Sequence, residues 1–260
     1  MSQNEMREGE EEPSCSGPAD LLLPFHPLPR SNVAPIISIE LSLSPPTYCF
    51  SRLSAPTIYL RLTLLPTSSS LSPLEVITLY TENSPLSPQR ALSRAGFIIT
   101  DLTTKQPVKL TNIRNVQRMA CPQRRVRGSF EEPYFLTLRP DETAELSAIF
   151  GRGDFRPDPW YIVKTGRIVD EDRKPLNIRR SASVTGVDGL EPGHEYEISM
   201  NVEDLRKIMW APVAKEEILF EKGYKGPGTG LMDYPWINDQ PIEFRVGTTK
   251  LKVLEKEEDT

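Results

Sequence analysis

Ile37-Ser38-Ile39-Glu40-Leu41-Ser42-Leu43 decides the fold class. Every second residue is Ile or Leu and those between are polar. Successive strand side chains face opposite sides of a sheet, so this spacing suits a half-buried strand and leaves no apolar helical face. Thr57-Ile58-Tyr59-Leu60-Arg61-Leu62-Thr63-Leu64 repeats the device. Working outward, strands are expected at 75–80, 96–102, 108–110, 134–138, 144–150, 161–168, 194–200, 242–246 and 251–254, with joints rich in Pro, Ser and Gly such as Pro45-Pro46 and residues 66–73. Many short strands punctuated by turn signals read as an antiparallel sandwich or barrel.

One stretch departs from this period. Asn201-Val202-Glu203-Asp204-Leu205-Arg206-Lys207-Ile208-Met209-Trp210 opens with an N-cap residue, has acids in its first turn and bases after them, and stops before Pro212. Leu205, Ile208 and Met209 share one face, so the pattern predicts a short amphipathic helix. Residues 215–222, closed by Gly223, fit a second helix or a strand equally well.

The chain has 260 residues, room for one large domain or two small ones, and its 25 Pro against 15 Gly disfavour long helices. Residues 1–35 hold Pro13, Pro18, Pro24, Pro27, Pro29 and Pro35 without apolar period and read as a disordered acidic leader. Within it, Leu21-Leu22-Leu23-Pro24-Phe25 reads as a partner-docking motif or as an apolar flap on the body. Residues 36–254 form the β-sandwich domain, as one unit or as two halves meeting near 151–159, and 255–260 form an acidic tail. Of the net charge of −5, residues 1–12 carry −4 and 255–260 carry −3, which leaves the body faintly basic. The acidic N-terminus lacks the basic region of a signal peptide, and no apolar run reaches the ~20 residues of a membrane span. A cytoplasmic or nuclear protein with reduced thiols is expected.

An internal echo joins Leu138-Arg139-Pro140-Asp141-Glu142-Thr143-Ala144-Glu145-Leu146-Ser147 to Leu190-Glu191-Pro192-Gly193-His194-Glu195-Tyr196-Glu197-Ile198-Ser199. Pro sets a tight turn and Asp or Gly completes it before the next strand leaves. These corners and the strand pattern resemble immunoglobulin-like β-sandwiches. That resemblance implies a mainly β fold, an antiparallel immunoglobulin-like β-sandwich with one or two short helices and disordered termini. Together with Tyr134-Phe135-Leu136-Thr137-Leu138 and Lys215-Glu216-Glu217-Ile218-Leu219, the second corner is also similar to filamentous-fungal proteins of unassigned activity, and neither resemblance brings a reaction with it.

Candidate chemistry is sparse. With two His and three Cys, a His-built metal site or a disulfide framework is not expected, and no cofactor is implied. Cys121 with His194 would be a nucleophile and base by residue type alone, with His26 in the leader. Glu131-Glu132, Asp154 with Asp158, and Asp170-Glu171-Asp172 are carboxylate groups without the spacing of a calcium loop. Gly226-Pro227-Gly228-Thr229-Gly230 follows no suitable strand and opens no helix, so a loop reading prevails over a phosphate cradle. Arg152-Gly153-Asp154 reads as a turn.

The strongest anomaly is electrostatic. Residues 102–130 contain no acid but hold Lys105, Lys109, Arg114, Arg118, Arg124, Arg125 and Arg127. With no clean strand period over 111–130, this reads as a loop projecting Arg side chains, whose planar fork suits carboxylates and phosphates. Three readings compete: a solvated loop, docking to an acidic protein surface or anionic headgroup through Arg114, Arg118, Arg124, Arg125 and Arg127, and nucleic-acid binding. The last is disfavoured because no aromatic residue is interleaved to stack on bases. Ser129, Ser181 and Ser183 follow Arg clusters in the manner basophilic kinases favour. The leading expectation is a non-enzymatic interaction module. The alternative is an enzyme with an unrecognised carboxylate site drawn from Glu131, Asp154, Asp158 and His194.

Overall fold

The two alternating segments become neighbouring strands, β1 (Ile36–Ser44) and β3 (Thr57–Leu65), antiparallel with Ile39 opposite Leu62. The structure is a computed structural model that describes residues 34–49, 55–66, 75–82, 84–93, 96–110, 123–140, 142–151, 186–187, 189–238 and 241–255. Ile37, Ile39, Leu41 and Leu43 of β1 and Ile58, Leu60, Leu62 and Leu64 of β3 are all buried on one face. At about 1.5–3 kcal/mol for each such side chain, this face alone is a large share of the folding drive. β8 (Thr143–Ile149) and β11 (Glu243–Val246) complete a four-stranded sheet in the order β11-β1-β3-β8.

A five-stranded sheet supplies the opposing apolar residues. Its order is β2 (Thr47–Cys49), β12 (Thr249–Leu254), β9 (Glu195–Met200), β5 (Phe97–Asp101) and β6 (Gln106–Pro107). Phe97, Ile99, Tyr196, Ile198, Leu251 and Val253 join the β1 and β3 side chains in one core. A third sheet, β10 (Met209–Ala211), β4 (Ile77–Tyr80) and β7 (Phe135–Leu138), is covered on both sides. Ile77 and Leu79 of β4 face the main core, whereas Tyr80 enters a second cluster with Phe135, Ala211, Ile218, Leu219 and Leu231. The buried Thr78 is satisfied by bonds to the Val213 carbonyl (2.7 Å) and to Thr137 Oγ1 (3.0 Å).

The fold is mainly β, as the alternation requires, but it is not wholly antiparallel. β1 pairs parallel with β11 and β2 pairs parallel with β12, because the chain turns at Pro45-Pro46 and carries β1 onward from one sheet to the other as β2. Strands from either side of residues 151–159 share every sheet: β1 with β11, β4 with β10, β5 with β9. The strand expected at 108–110 lies instead at Gln106–Pro107, and the one expected at 161–168 is outside the described residues. A helix α1 (Pro88–Ser93) had no periodic signal.

The predicted 201–210 helix is cut short. Its start is as expected: Asn201 Oδ1 accepts the Glu203 N–H at 3.1 Å, and Glu203–Arg206 and Asp204–Lys207 pair at 2.8 and 2.7 Å. α2 ends at Leu205 (Val202–Leu205), and Met209–Ala211 leave as β10, in register with Tyr80, Leu79 and Thr78. An isolated helix this short is marginal in water, so burying Trp210 in the main core prevails over continued helix. The undecided segment 215–222 divides likewise: α3 (Lys215–Ile218) is helical, and Phe220 then bridges Val126 in parallel.

Candidate functional site

Residues 123–127 and 212–237 build a lobe over the outer face of the third sheet. Their backbones interlock: Arg125 N–H donates to Thr229 O (2.7 Å), Phe220 N–H to Arg125 O (2.8 Å), Arg127 N–H to Phe220 O (2.9 Å) and Leu231 N–H to Gln123 O (2.9 Å). Tyr134, Met209, Val213, Tyr234 and Trp236 close the small core beneath.

Arg125 corrects the picture of a projecting Arg loop. It is 3% exposed, and its guanidinium donates to the carbonyls of Ile218 (2.8 Å), Gly228 (2.5 Å) and Gly230 (3.0 Å) between the rings of Phe220 and Tyr234. Burial lowers its pKa, against the Tyr234 and Asp233 charges, from a value so high that the group stays cationic. The guanidinium therefore faces inward, closed off from any partner. The same bonds explain the Gly-rich loop: it turns carbonyls inward, which select a cation, where a phosphate cradle would present N–H groups.

The other Arg residues fall differently. Arg127 pairs with Glu221 at 3.0 Å and donates to Glu216 O at 3.2 Å. Arg124 is exposed, with no acidic partner among the described residues. Arg114 and Arg118 lie outside the described residues, as do Ser181 and Ser183. Ser129 is half-buried in a tight turn, its N–H on Val126 O and its Oγ 3.5 Å from Arg124 O.

Among the described residues, open clefts of about 420 Å³ lie in two places. The first runs from Gln123 and Tyr80 past Ile208 and Lys207 to Leu231 and Met232. At its wall the buried Glu82 accepts Tyr80 Oη at 2.5 Å and the Gln123 side-chain amide. Burial and the Glu82 carboxylate push the Tyr80 hydroxyl above its ordinary pKa, so it remains a donor. Met232 on the rim is 71% exposed, and Phe130, packed edge-on to Tyr134, is 75% exposed.

The second cleft lies beside Asp101, Thr104, Lys109, Glu191 and Tyr196. Asp101 Oδ1 accepts the Thr103 and Thr104 N–H groups and Oδ2 stands 2.8 Å from His194 Nδ1. Burial opposes ionisation of Asp101, but the bonds from His194, Thr103 and Thr104 outweigh it and hold the pKa down to about 2. The carboxylate accepts, so His194 Nδ1–H donates. Tyr196 Oη accepts the Glu191 N–H at 2.7 Å across the Leu190-Glu191-Pro192-Gly193 corner. Among the described residues the His194 ring bonds no hydroxyl or thiol; Cys121 lies outside them. Nor does His194 meet Glu131, which sits in the lobe near Tyr80, and Asp154 and Asp158 are outside the described residues.

Asp101 and His194 tie two turns together, and that role has a pH signature. A pKa lowered from 3.8 to about 2 contributes stability that is full above about pH 4 and is lost as pH falls through about 2. Asp101→Asn should remove about 2 kcal/mol of this acid-labile stability. Urea midpoints measured between neutral pH and pH 2 should fall less steeply in the variant than in the parent; parallel curves would refute the assignment.

Sequence reasoning missed Asp101, Glu82 and the inward Arg125. Asp101 had a signal, an Asp at a strand end followed by Thr103-Thr104, the mark of a side-chain-capped turn. Arg125 had none, since its carbonyl acceptors come from residues about 100 positions later. Among the described residues no helix is long and apolar enough to cross a membrane. Compared with protein-family profiles, with curated proteins and with solved structures, the chain matches none.

Proposed function

We propose that the protein is a non-enzymatic interaction module that docks an acidic protein segment in the first cleft. The observation that carries this is the setting of that cleft: Gln123, Lys207 and a Met232 left in water line it, and the exposed, basic Arg124 follows Gln123 in the chain. Large apolar side chains on a polar rim suit an apolar anchor, and an exposed Arg suits the carboxylates flanking it. Arg114 and Arg118 extend the same basic stretch. Arg125 takes no part, and Arg127 would first have to leave Glu221.

The fold reading behind this is an immunoglobulin-like sandwich. The single core shared by the four- and five-stranded sheets supports it, as does Tyr196 reaching back across its corner to Glu191, the bond typical of a tyrosine corner.

Affinity capture with the full chain tests the function. Arg124→Glu and Met232→Asp should each weaken the proteins held by the parent chain about tenfold or more, since one reverses the exposed charge next to Gln123 in the chain and the other puts a carboxylate on the apolar rim. An unchanged set of partners in both variants would overturn the reading, and loss of anionic vesicles alone would assign the site to headgroups.

A further inference from the structure

We propose that β8 is the seam of a two-fold symmetric dimer: it pairs antiparallel with β8 of a second copy, Leu146 lies on the axis, and one continuous sheet runs through both copies.

The edge is open. β8 ends the sheet β11-β1-β3-β8. Phe150 N–H donates to Pro56 O at 2.8 Å, and Ile149 stands opposite Thr57, which fixes the ladder. Ala144, Leu146 and Ala148 therefore turn their backbone groups toward β3, and Thr143, Glu145, Ser147 and Ile149 turn theirs away. Among the described residues no backbone hydrogen bond reaches those four. With 7 residues β8 is also the longest described strand that ends a sheet, since β2, β6, β7, β10 and β11 have 2 to 4. It has neither the Pro nor the Lys that blunts an exposed edge, and its one charge, Glu145, is already paired with Arg61 at 3.0 Å.

The strand's own sequence argues for a second copy as the occupant. Centred on Leu146, an antiparallel copy sets Glu145 opposite Ser147 and Thr143 opposite Ile149, each twice. All four outward residues then find partners, with about eight backbone bonds across the seam. A hydroxyl meets each carboxylate, and the exposed Ile149 gains a neighbour. Moving the axis to Glu145 would set carboxylate against carboxylate; moving it to Ser147 would carry Thr143 past the end of the strand. On the core face, the half-buried Leu146 meets the same residue of the second copy. That pair is of the non-hydrogen-bonded kind, with Cα atoms about 4.5 Å apart, and Ala144 and Ala148 on either side leave room for it. An isologous contact of this kind closes on itself and stops at two copies. A single strand pair buries less than the ~1,200–2,000 Å² of a standard interface, so the dimer belongs to the micromolar range.

Sedimentation velocity of the full chain from about 1 to 300 µM should show a monomer–dimer equilibrium. Ser147→Glu, which sets a carboxylate against Glu145 twice across the seam, should weaken it about fivefold or more, and Ser147→Lys should tighten it about twofold or more. Ser147 is exposed, so both variants should keep the parent's urea midpoint. Hydrogen exchange on the parent needs no variant: the amides of Thr143, Glu145, Ser147 and Ile149 should gain protection as concentration rises, while those of Ala144, Leu146 and Ala148 stay as they are. A chain that is monomeric throughout, or a dimer on which the two substitutions act alike, would overturn the proposal. So would outward amides protected at every concentration, which would give the edge to a segment of the same chain.

Discussion

Arg125→Met should destabilise the protein by about 3–5 kcal/mol, a large share of the ~5–15 kcal/mol available to a folded domain. Met fills the space between Phe220 and Tyr234 but donates nothing, so three carbonyls, of Ile218, Gly228 and Gly230, lose their charged donor. An acceptor left buried without its donor costs about 1–3 kcal/mol. Arg125→Lys should recover part of the loss: one ammonium keeps the charge but cannot span three carbonyls and stack on two rings. Trp236, whose indole N–H donates to Leu231 O at 2.8 Å inside the lobe, reports the event by fluorescence during urea unfolding. A solvent-facing Arg at this position would give a change within about 0.5 kcal/mol, and that result would refute the clamp.

Trp210→Ala should cost a similar amount, about 3–5 kcal/mol, for a different reason. Trp210 is 1% exposed and sits in register with Leu79 on one side, while its carbonyl accepts the Ile237 N–H at 2.9 Å on the other. Its ring fills the main core, so truncation leaves a cavity there and loosens the strand that roofs it. Trp210→Phe, which keeps most of the apolar volume, should cost clearly less. Equal losses for Ala and Phe would mean that the strand pairing and not the ring holds β10. Because β10 carries the chain from the main core into the lobe, the Ala variant should also weaken protection of the Arg125 clamp.

These two residues mark where the sequence was legible and where it was not. β1 and β3 could be read directly, because an alternating period of two is a local property and both strands keep one face in the core. The N-cap at Asn201 was legible for the same reason. Trp210 was misread because residues 202–209 satisfy a helical face equally well, and only the empty place beside β4, set by residues 77–80, tips the choice. The basic run at 124–127 looked like one surface property and is three: Arg124 faces water, Arg125 is enclosed, and Arg127 is paired. Charge density along a chain does not say which side chain points inward. That is decided by the carbonyls at 218–230, which no local pattern announces. The candidate cleft was illegible as a whole, since Tyr80, Gln123, Ile208 and Met232 come from four separate parts of the chain, although Gln123 stood in a stretch already marked by charge.

The parallel pairings of β1 with β11 and β2 with β12 have a consequence for biosynthesis. β1 finds its antiparallel partner β3 soon after it is made, but its other neighbour, β11, follows about 200 residues later. Until residues 243–254 emerge, one flank of the nascent sheet stays open to any strand that drifts past. β11 and β12 thus close the edges left open by β1 and β2, and a chain cut before them would display the apolar ladder on which the fold is founded.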